Sequence, residues 1–216
     1  MLIRLANTVL DLLFPPRCVL CHAFLEKGEE EICPKCAKSV LSLQYRQRAL
    51  RPFVRCISAL PYEGVYRESI ARYKFGGRRF YAETYAAWLA ALIREELDGS
   101  FDVMTWIPIS RKRLRKRGFD QSELLCRGAG EFLGAEVVSA LRKTRDNPPQ
   151  STMKNAEARK QNVRDVFAVS DPEQIRGKRV LLLDDILTTG NSMQVCAREL
   201  LRAGAQSVVG CTLASV

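Results

Sequence analysis

Arg179-Val180-Leu181-Leu182-Leu183-Asp184-Asp185-Ile186-Leu187-Thr188-Thr189-Gly190-Asn191-Ser192 is the stretch from which the rest of the chain can be read. The apolar run Val180 to Leu183 predicts a buried strand. Two adjacent carboxylates end it, and a turn rich in threonine and glycine follows. Ser192 to Leu201 then predicts an amphipathic helix that stops at Gly204. Free N–H groups and the positive dipole end of that helix favour a phosphate. Hydroxyls of Thr188, Thr189 and Ser192 can donate to it, Asn191 belongs to the same turn, and Gly190 lets the backbone come close. Asp184 and Asp185 lie too far back for this phosphate and would repel it. They suit a diol, such as the 2′- and 3′-hydroxyls of a ribose, or a hydrated Mg²⁺. The competing reading is an ordinary strand-turn-helix in which the acidic pair caps the helix. It leaves unexplained why a buried strand should end in two carboxylates.

Working outward, 216 residues suffice for one α/β domain with a small appendage. An apolar share of 47% can build a sizeable core, and a net charge of +10 points to an anionic partner: a phosphorylated substrate, nucleic acid or a membrane surface. Met1 to Phe14 is interrupted by Arg4 and Asp11 and lacks a cleavage site, so no secretory signal is expected. Its apolar residues recur at helical spacing and predict a short amphipathic helix ended by Pro15-Pro16. No run approaches a membrane span.

Cys18-x2-Cys21 and Cys33-x2-Cys36 are two thiolate pairs separated by eleven residues. Two such turns make a tetrahedral four-cysteine site that suits Zn²⁺. With four ligands and no open position the metal is structural, and it would stabilise a segment too small to bury much by itself. His22, the sole histidine, is expected on the rim. Cys56, Cys126, Cys196 and Cys211 lie among apolar residues and are expected as buried thiols. Eight cysteines without a signal place the chain in the cytosol. The expected division is a metal module over 1–45 and an α/β domain over 46–216.

Residues 46–55 read as a basic connection, and Ile57 to Tyr62 as a strand. Tyr73-Lys74-Phe75-Gly76-Gly77 sets a lysine before a flexible break, where Lys74 can reach an anion. Phe80 to Leu97 predicts a helix. Val103 to Pro108 predicts a buried strand, followed at once by Arg111 to Arg117, of which all but Leu114 are cationic. Ligands of α/β sheets bind beyond the carboxyl ends of strands, so this cationic loop should face the crevice of Asp184 and Asp185. Asp120 is placed to cap the next helix, with Glu123 completing a capping box. Val137 to Leu141 reads as a short strand. Arg142 to Lys160 is polar, carries Pro148-Pro149 and reads as a long loop of the kind used as a lid. Ser207 to Leu213 is the last strand.

Apolar residues, Asp-Asp, two residues, then Thr-Thr-Gly: this pattern resembles the phosphoribosyl-pyrophosphate (PRPP) loop of type I phosphoribosyltransferases. Over almost the whole chain the sequence resembles the ComF family, bacterial proteins associated with natural competence. The resemblance rests on the N-terminal helix and cysteine knuckle, Tyr73-Lys74-Phe75-Gly76, Pro108, and Arg117-Gly118-Phe119-Asp120-Gln121. Gln150, Arg159, Asn162, Phe167 and the Asp-Asp…Thr-Thr-Gly loop complete it. The family usually has Asn where this chain has Asp120. The resemblance implies a type I phosphoribosyltransferase-like parallel sheet flanked by helices, with a small N-terminal four-cysteine zinc knuckle. It places Arg111, Arg113 and Arg117 at the pyrophosphate and Arg142–Lys160 at a flexible lid. It also implies PRPP binding with Mg²⁺, a role in handling incoming single-stranded DNA, and possible competence-protein partners.

Two readings stay open from sequence. One is a phosphoribosyltransferase. The other is a single-stranded-DNA- or partner-binding module that keeps a PRPP-sensing site, with Tyr73, Phe75, Phe80 and Tyr81 interleaved among Lys74, Arg78 and Arg79 as a stacking surface.

Overall fold

The computed structural model describes residues 15–29, 31–41, 44–50, 54–145 and 166–216. The expected N-terminal helix and most of the expected lid lie outside the described residues.

In chain order these residues form helix α1 (Pro34–Leu41), strands β1 (Arg46–Leu50) and β2 (Val54–Pro61), and helices α2 (Gly64–Phe75) and α3 (Tyr81–Glu96). Strand β3 (Val103–Trp106), helices α4 (Arg111–Arg117) and α5 (Gln121–Leu133), and strands β4 (Leu141–Lys143) and β5 (Phe167–Val169) follow. Strand β6 (Arg179–Leu187), helix α6 (Asn191–Arg202) and strand β7 (Ser207–Ser215) close the chain. The main sheet has the order β1-β2-β7-β6-β3, and β4 pairs with β5 in a separate antiparallel ribbon. β2, β7, β6 and β3 are parallel, whereas β1 is antiparallel at one edge. The sheet is therefore mixed, and the expected basic connection over 46–55 is in part this edge strand.

The apolar run of β6 follows from its central position. Side chains of a strand alternate between faces, and here both faces are covered. Leu181 and Leu183 pack with Met104, Trp106 and Leu213 against Ile70, Leu89 and Leu125 from α2, α3 and α5. Val180 and Leu182 pack with Val103 and Val208 against Met193, Cys196, Ala197 and Leu200 of α6. The strand does not stop at the acidic pair. Its ladder with β7 continues through Asp184↔Thr212, Ile186↔Ala214 and Leu187↔Ser215. Both carboxylates thus stand on a hydrogen-bonded strand.

Two other expectations shift. Arg111–Arg117 is a helix, α4, capped by the Ser110 hydroxyl, which accepts from Arg113 N–H, and closed by Gly118 in the left-handed region. Val137 makes only an isolated parallel bridge to Met104, and the strand begins at Leu141. Among the described residues no helix is long and apolar enough to cross a membrane.

The cysteine module rests on α2. The Ser69 hydroxyl donates to the Val19 carbonyl, Arg72 donates to the Leu20 carbonyl, and Ser39 and Tyr66 share a hydrogen bond of 2.7 Å. Cys18, Val19, Leu20 and Cys36 belong to the same buried cluster as Tyr66, Ile70 and Tyr73, so the core runs without a break from the module into the sheet.

Candidate functional site

The carboxyl ends of the parallel strands share one edge of the sheet: β3 ends at Trp106 opposite Leu183, and β6 runs four residues further, through Asp184 and Asp185, before its own loop begins. Asp185 turns toward α2 and α5. Its Oδ2 accepts from Lys74 Nζ at 2.8 Å and from Gln121 Nε2 at 2.7 Å. Tyr73 holds these two elements together by donating its hydroxyl to the Gln121 carbonyl at 2.9 Å. Asp184 also meets the start of α5, one residue further along that helix. Its Oδ1 accepts from the Ser122 hydroxyl at 3.0 Å and from Asp185 N–H at 2.8 Å. It keeps part of its surface open to the crevice, yet burial, reinforced by the Asp185 charge, pushes its carboxyl up to about 7.

Asp184 also lines a cavity of about 180 Å³ with Thr188, Thr189, Gly190, Asn191 and Ser192. The acidic pair is therefore not uniformly set back from the loop, as the spacing suggested. One carboxylate shares the loop's cavity and the other is paired. Neither caps α6: that helix opens on Gly190 at φ +79, without a side-chain cap from that position, and its first N–H, of Asn191, donates to the Thr189 hydroxyl at 3.5 Å.

The arginines of α4 fan out around its axis. Arg111 and Arg115 line a second cavity of about 530 Å³, with Ile109, Asp120, Lys143 and Arg145. Arg117 lies on another side, its guanidinium 4.8 Å from the centre of the Phe75 ring. Burial lowers its pKa, and the Asp185 charge works against that shift. Arg113 is exposed and contributes its backbone N–H to the Ser110 cap. Arg111, Arg113 and Arg117 therefore do not converge on one point.

Asp120 caps α5, accepting from Ser122 N–H and Glu123 N–H through Oδ1, and from Ile109 N–H at 2.9 Å through Oδ2. Its second oxygen thus ties the loop after β3 to the start of α5, which an asparagine amide nitrogen cannot do. Glu123 turns to Arg127 at 2.9 Å, so its carboxylate is engaged along the helix.

Gln121, Ser122 and Arg48 carry site geometry that sequence reasoning did not assign. Gln121 and Ser122 stand one and two residues beyond a recognised cap, so their place at the carboxylates was within reach of the helix register. Arg48 donates to the Thr188 carbonyl at 2.6 Å across 140 residues, a contact with no local signal.

Of the aromatic residues proposed for stacking, Tyr73 and Tyr81 are core, whereas Phe75 and Phe80 are 76% and 61% exposed. Arg117 lies over Phe75 and Arg78 over Phe80.

The sulfurs of Cys18, Cys21, Cys33 and Cys36 lie within 4.8 Å of one another. Cys21 Sγ and Cys33 Sγ are 3.7 Å apart. Tetrahedral Zn²⁺ at about 2.3 Å from each sulfur requires about 3.8 Å between sulfurs, so the donor set fits the metal. Burial opposes ionisation of Cys18, but backbone hydrogen bonds around Cys33, Cys21 and Leu20 outweigh it and pull the thiol down to about 7. His22 stands outside the cluster. Cys56, Cys126, Cys196 and Cys211 are free and buried, as expected.

Residues 9–47 match the double zinc ribbon domain and residues 128–216 the phosphoribosyl transferase domain. The competence protein ComFC of Streptococcus pneumoniae is 30% identical over 198 residues, spanning 88% of this chain and 84% of that protein. The chain belongs to the ComF family. Another relative of this ComF chain, the DNA utilization protein YhgH of Escherichia coli, is 27% identical over 194 residues, 84% of this chain and 83% of that one. Among solved structures, the allosteric regulatory enzyme of purine biosynthesis aligns at 24% identity with a TM-score of 0.42, over 61% of the ComF chain and a quarter (25%) of its own. The two matched domain models and the cysteine cluster give a phosphoribosyltransferase-domain fold with a four-cysteine zinc ribbon at its N-terminal end.

Proposed function

We propose that this ComF protein binds PRPP with Mg²⁺ at the carboxyl edge of its sheet and acts as a phosphoribosyltransferase. In this reading Thr188, Thr189, Gly190, Asn191 and Ser192 hold the 5′-phosphate, and Asp184 and Asp185 hold the ribose hydroxyls, directly or through Mg²⁺. Asp184 facing the same cavity as the loop's hydroxyls is the observation that carries it. It places a hydroxyl acceptor next to a phosphate site. Residues 1–45 are then a metal module and 46–216 the phosphoribosyltransferase-like domain, working in the cytoplasm.

The chemistry asks for charge placement rather than a strong nucleophile. As the bond from ribose C1 to pyrophosphate lengthens, positive charge grows on the sugar and negative charge on the leaving group. Asp184 faces the first, and Arg111 and Arg115, which line the larger cavity, face the second. Mg²⁺, when bound, would be held by the acidic pair, where Asp184 carries no cationic partner among the described ion pairs, and would supply further positive charge to the leaving group. Lys74 offsets Asp185. The buried Gln121 Oε1 and Arg117 Nη1 have no hydrogen-bond partner among the described residues, which suits groups that contact substrate.

Calorimetric titration of PRPP with Mg²⁺ into the zinc-loaded protein tests this. Binding that Asp184→Asn/Asp185→Asn abolishes is the expected result. Absence of binding to the folded wild type would overturn the reading.

A second reading, a role in natural competence as a single-stranded-DNA-binding module, is favoured by exposed Phe75 and Phe80, each with an arginine at its face. It is consistent with relatives named for competence and DNA utilization. Salt-dependent binding of an oligonucleotide that Phe75→Ala/Phe80→Ala weakens, and that persists in Asp184→Asn/Asp185→Asn, would support it over the enzyme.

A further inference from the structure

The loop Thr188-Thr189-Gly190-Asn191-Ser192 carries no charge, and among the described residues the one ionisable group lining its cavity is the Asp184 carboxyl, which supplies no positive charge. A phosphate dianion there needs aligned N–H groups and a cation from elsewhere. Both needs lead to β1. Arg48 Nη1 donates to the Thr188 carbonyl at 2.6 Å. Across a planar trans peptide the Thr188 carbonyl and the Thr189 N–H point in opposite directions. With the carbonyl held toward Arg48, the Thr189 N–H is turned away from β1. Two residues along the strand, Leu50 touches the same loop: a Cβ on Gly190 would lie 2.6 Å from Leu50 Cδ2. Neither Arg48 nor Leu50 is among the residues lining the cavity, although both approach the loop that does. β1 is held in register by its antiparallel ladder with β2, with Arg48 opposite Cys56.

Resting on the PRPP reading above, we infer that Arg48 is a positioning residue for the 5′-phosphate: it fixes the Thr188–Thr189 peptide with its N–H toward the phosphate and places a positive charge beside the loop. Arg48 is outside the segment that matches the phosphoribosyl transferase domain and comes from the edge strand that follows the zinc ribbon. A charge-assisted hydrogen bond is stronger than a neutral one, so a guanidinium clamps a carbonyl better than a neutral donor does.

The test compares full-length zinc-loaded wild type, Arg48→Ala and Arg48→Lys by calorimetry with ribose 5-phosphate and, separately, pyrophosphate. Arg48→Ala should lose about tenfold or more in affinity for ribose 5-phosphate. Its affinity for pyrophosphate should stay within about twofold, and Arg48→Lys should recover part of the loss. In the ligand-free protein, amide hydrogen exchange at Thr189 to Asn191 should quicken in Arg48→Ala. Unchanged ribose 5-phosphate affinity in Arg48→Ala, beside a wild type that binds it, would overturn the inference and leave the PRPP site standing. Equal losses for both ligands, with a lowered Tm, would reduce Arg48 to a structural role and overturn it too. A wild type that binds neither PRPP nor ribose 5-phosphate would overturn the site reading, and this inference with it.

Discussion

Lys74 and Asp185 are joined by a 2.8 Å ion pair between the last turn of α2 and the central strand β6, with their side chains 15% and 8% exposed. The pair carries the contact from the helix that supports the zinc ribbon to the acidic pair of the site. Removing one partner strands the other charge in a poorly solvated place. Lys74→Met should cost about 3 kcal/mol in chemical denaturation. Lys74→Met/Asp185→Asn should cost less than the sum of the single changes, because the double variant leaves no unpaired charge. Additive costs would show that the pair contributes nothing.

Asp184 makes stability depend on pH with a definite sign. Its folded carboxyl holds a proton to about pH 7, whereas the unfolded one releases it near its ordinary value of 3.8. Between those values the folded state binds more protons, so stability falls as pH rises through the window. Asp184→Asn keeps an acceptor for Ser122 and removes the charge. Its Tm should exceed that of the ligand-free wild type by a few degrees at pH 8, at about 2–4 °C per kcal/mol. The difference should shrink toward pH 4. A pH-independent difference would contradict this.

Gly190 faces two constraints at once, a left-handed φ of +79 and contact with Leu50. Gly190→Ala should destabilise by about 1–3 kcal/mol, since the left-handed region alone costs an L-residue about 1–2 kcal/mol. Adding Leu50→Ala should relieve the contact and not the backbone strain. Thermal melts of both variants, beside Leu50→Ala alone, separate the two contributions.

Zinc should be present at about one ion per chain by elemental analysis. Chelation, or Cys18→Ser, should lower Tm and speed hydrogen exchange in α2 around Ser69 and Arg72, whose side chains donate to the Val19 and Leu20 carbonyls. The effect should reach the Lys74 turn at the end of the same helix. Exchange rates in α2 that ignore chelation would show that the ribbon does not buttress the site.

The zinc ribbon, the buried run Val180–Leu183, the turn before α6 and the Asp120 cap were all legible in sequence. Each is written in neighbouring residues: paired thiolates at fixed spacing, an apolar run of strand length, a glycine before a helix, a carboxylate two and three residues before free N–H groups. β1 reads as a basic connection in sequence because four of its five residues, on both faces, are exposed and only Leu50 is buried, so it has neither an apolar run nor an alternation to show. Arg111–Arg117 reads as a loop in sequence because a helix that is cationic at every position but Leu114, and buries none of them, has no apolar stripe. Its seal lies in Ser110 and Gly118, at its two ends.

By itself, then, the sequence determined the chemistry available: four thiolates for a metal, two carboxylates and a hydroxyl loop on one strand end, and a surplus of cations. Tertiary structure alone decided which of these meet. Alternation along β6 sends Asp185 to Lys74 and Gln121, and Asp184 to the loop cavity. Helical rotation parts Arg111 from Arg117. The docking of edge strand β1 on the sheet brings the Arg48 side chain to the Thr188 carbonyl, 140 residues away. Side-chain direction on a strand or helix is periodic and local, but the neighbour it meets is set by how the elements pack, and no single stretch of chain contains that information.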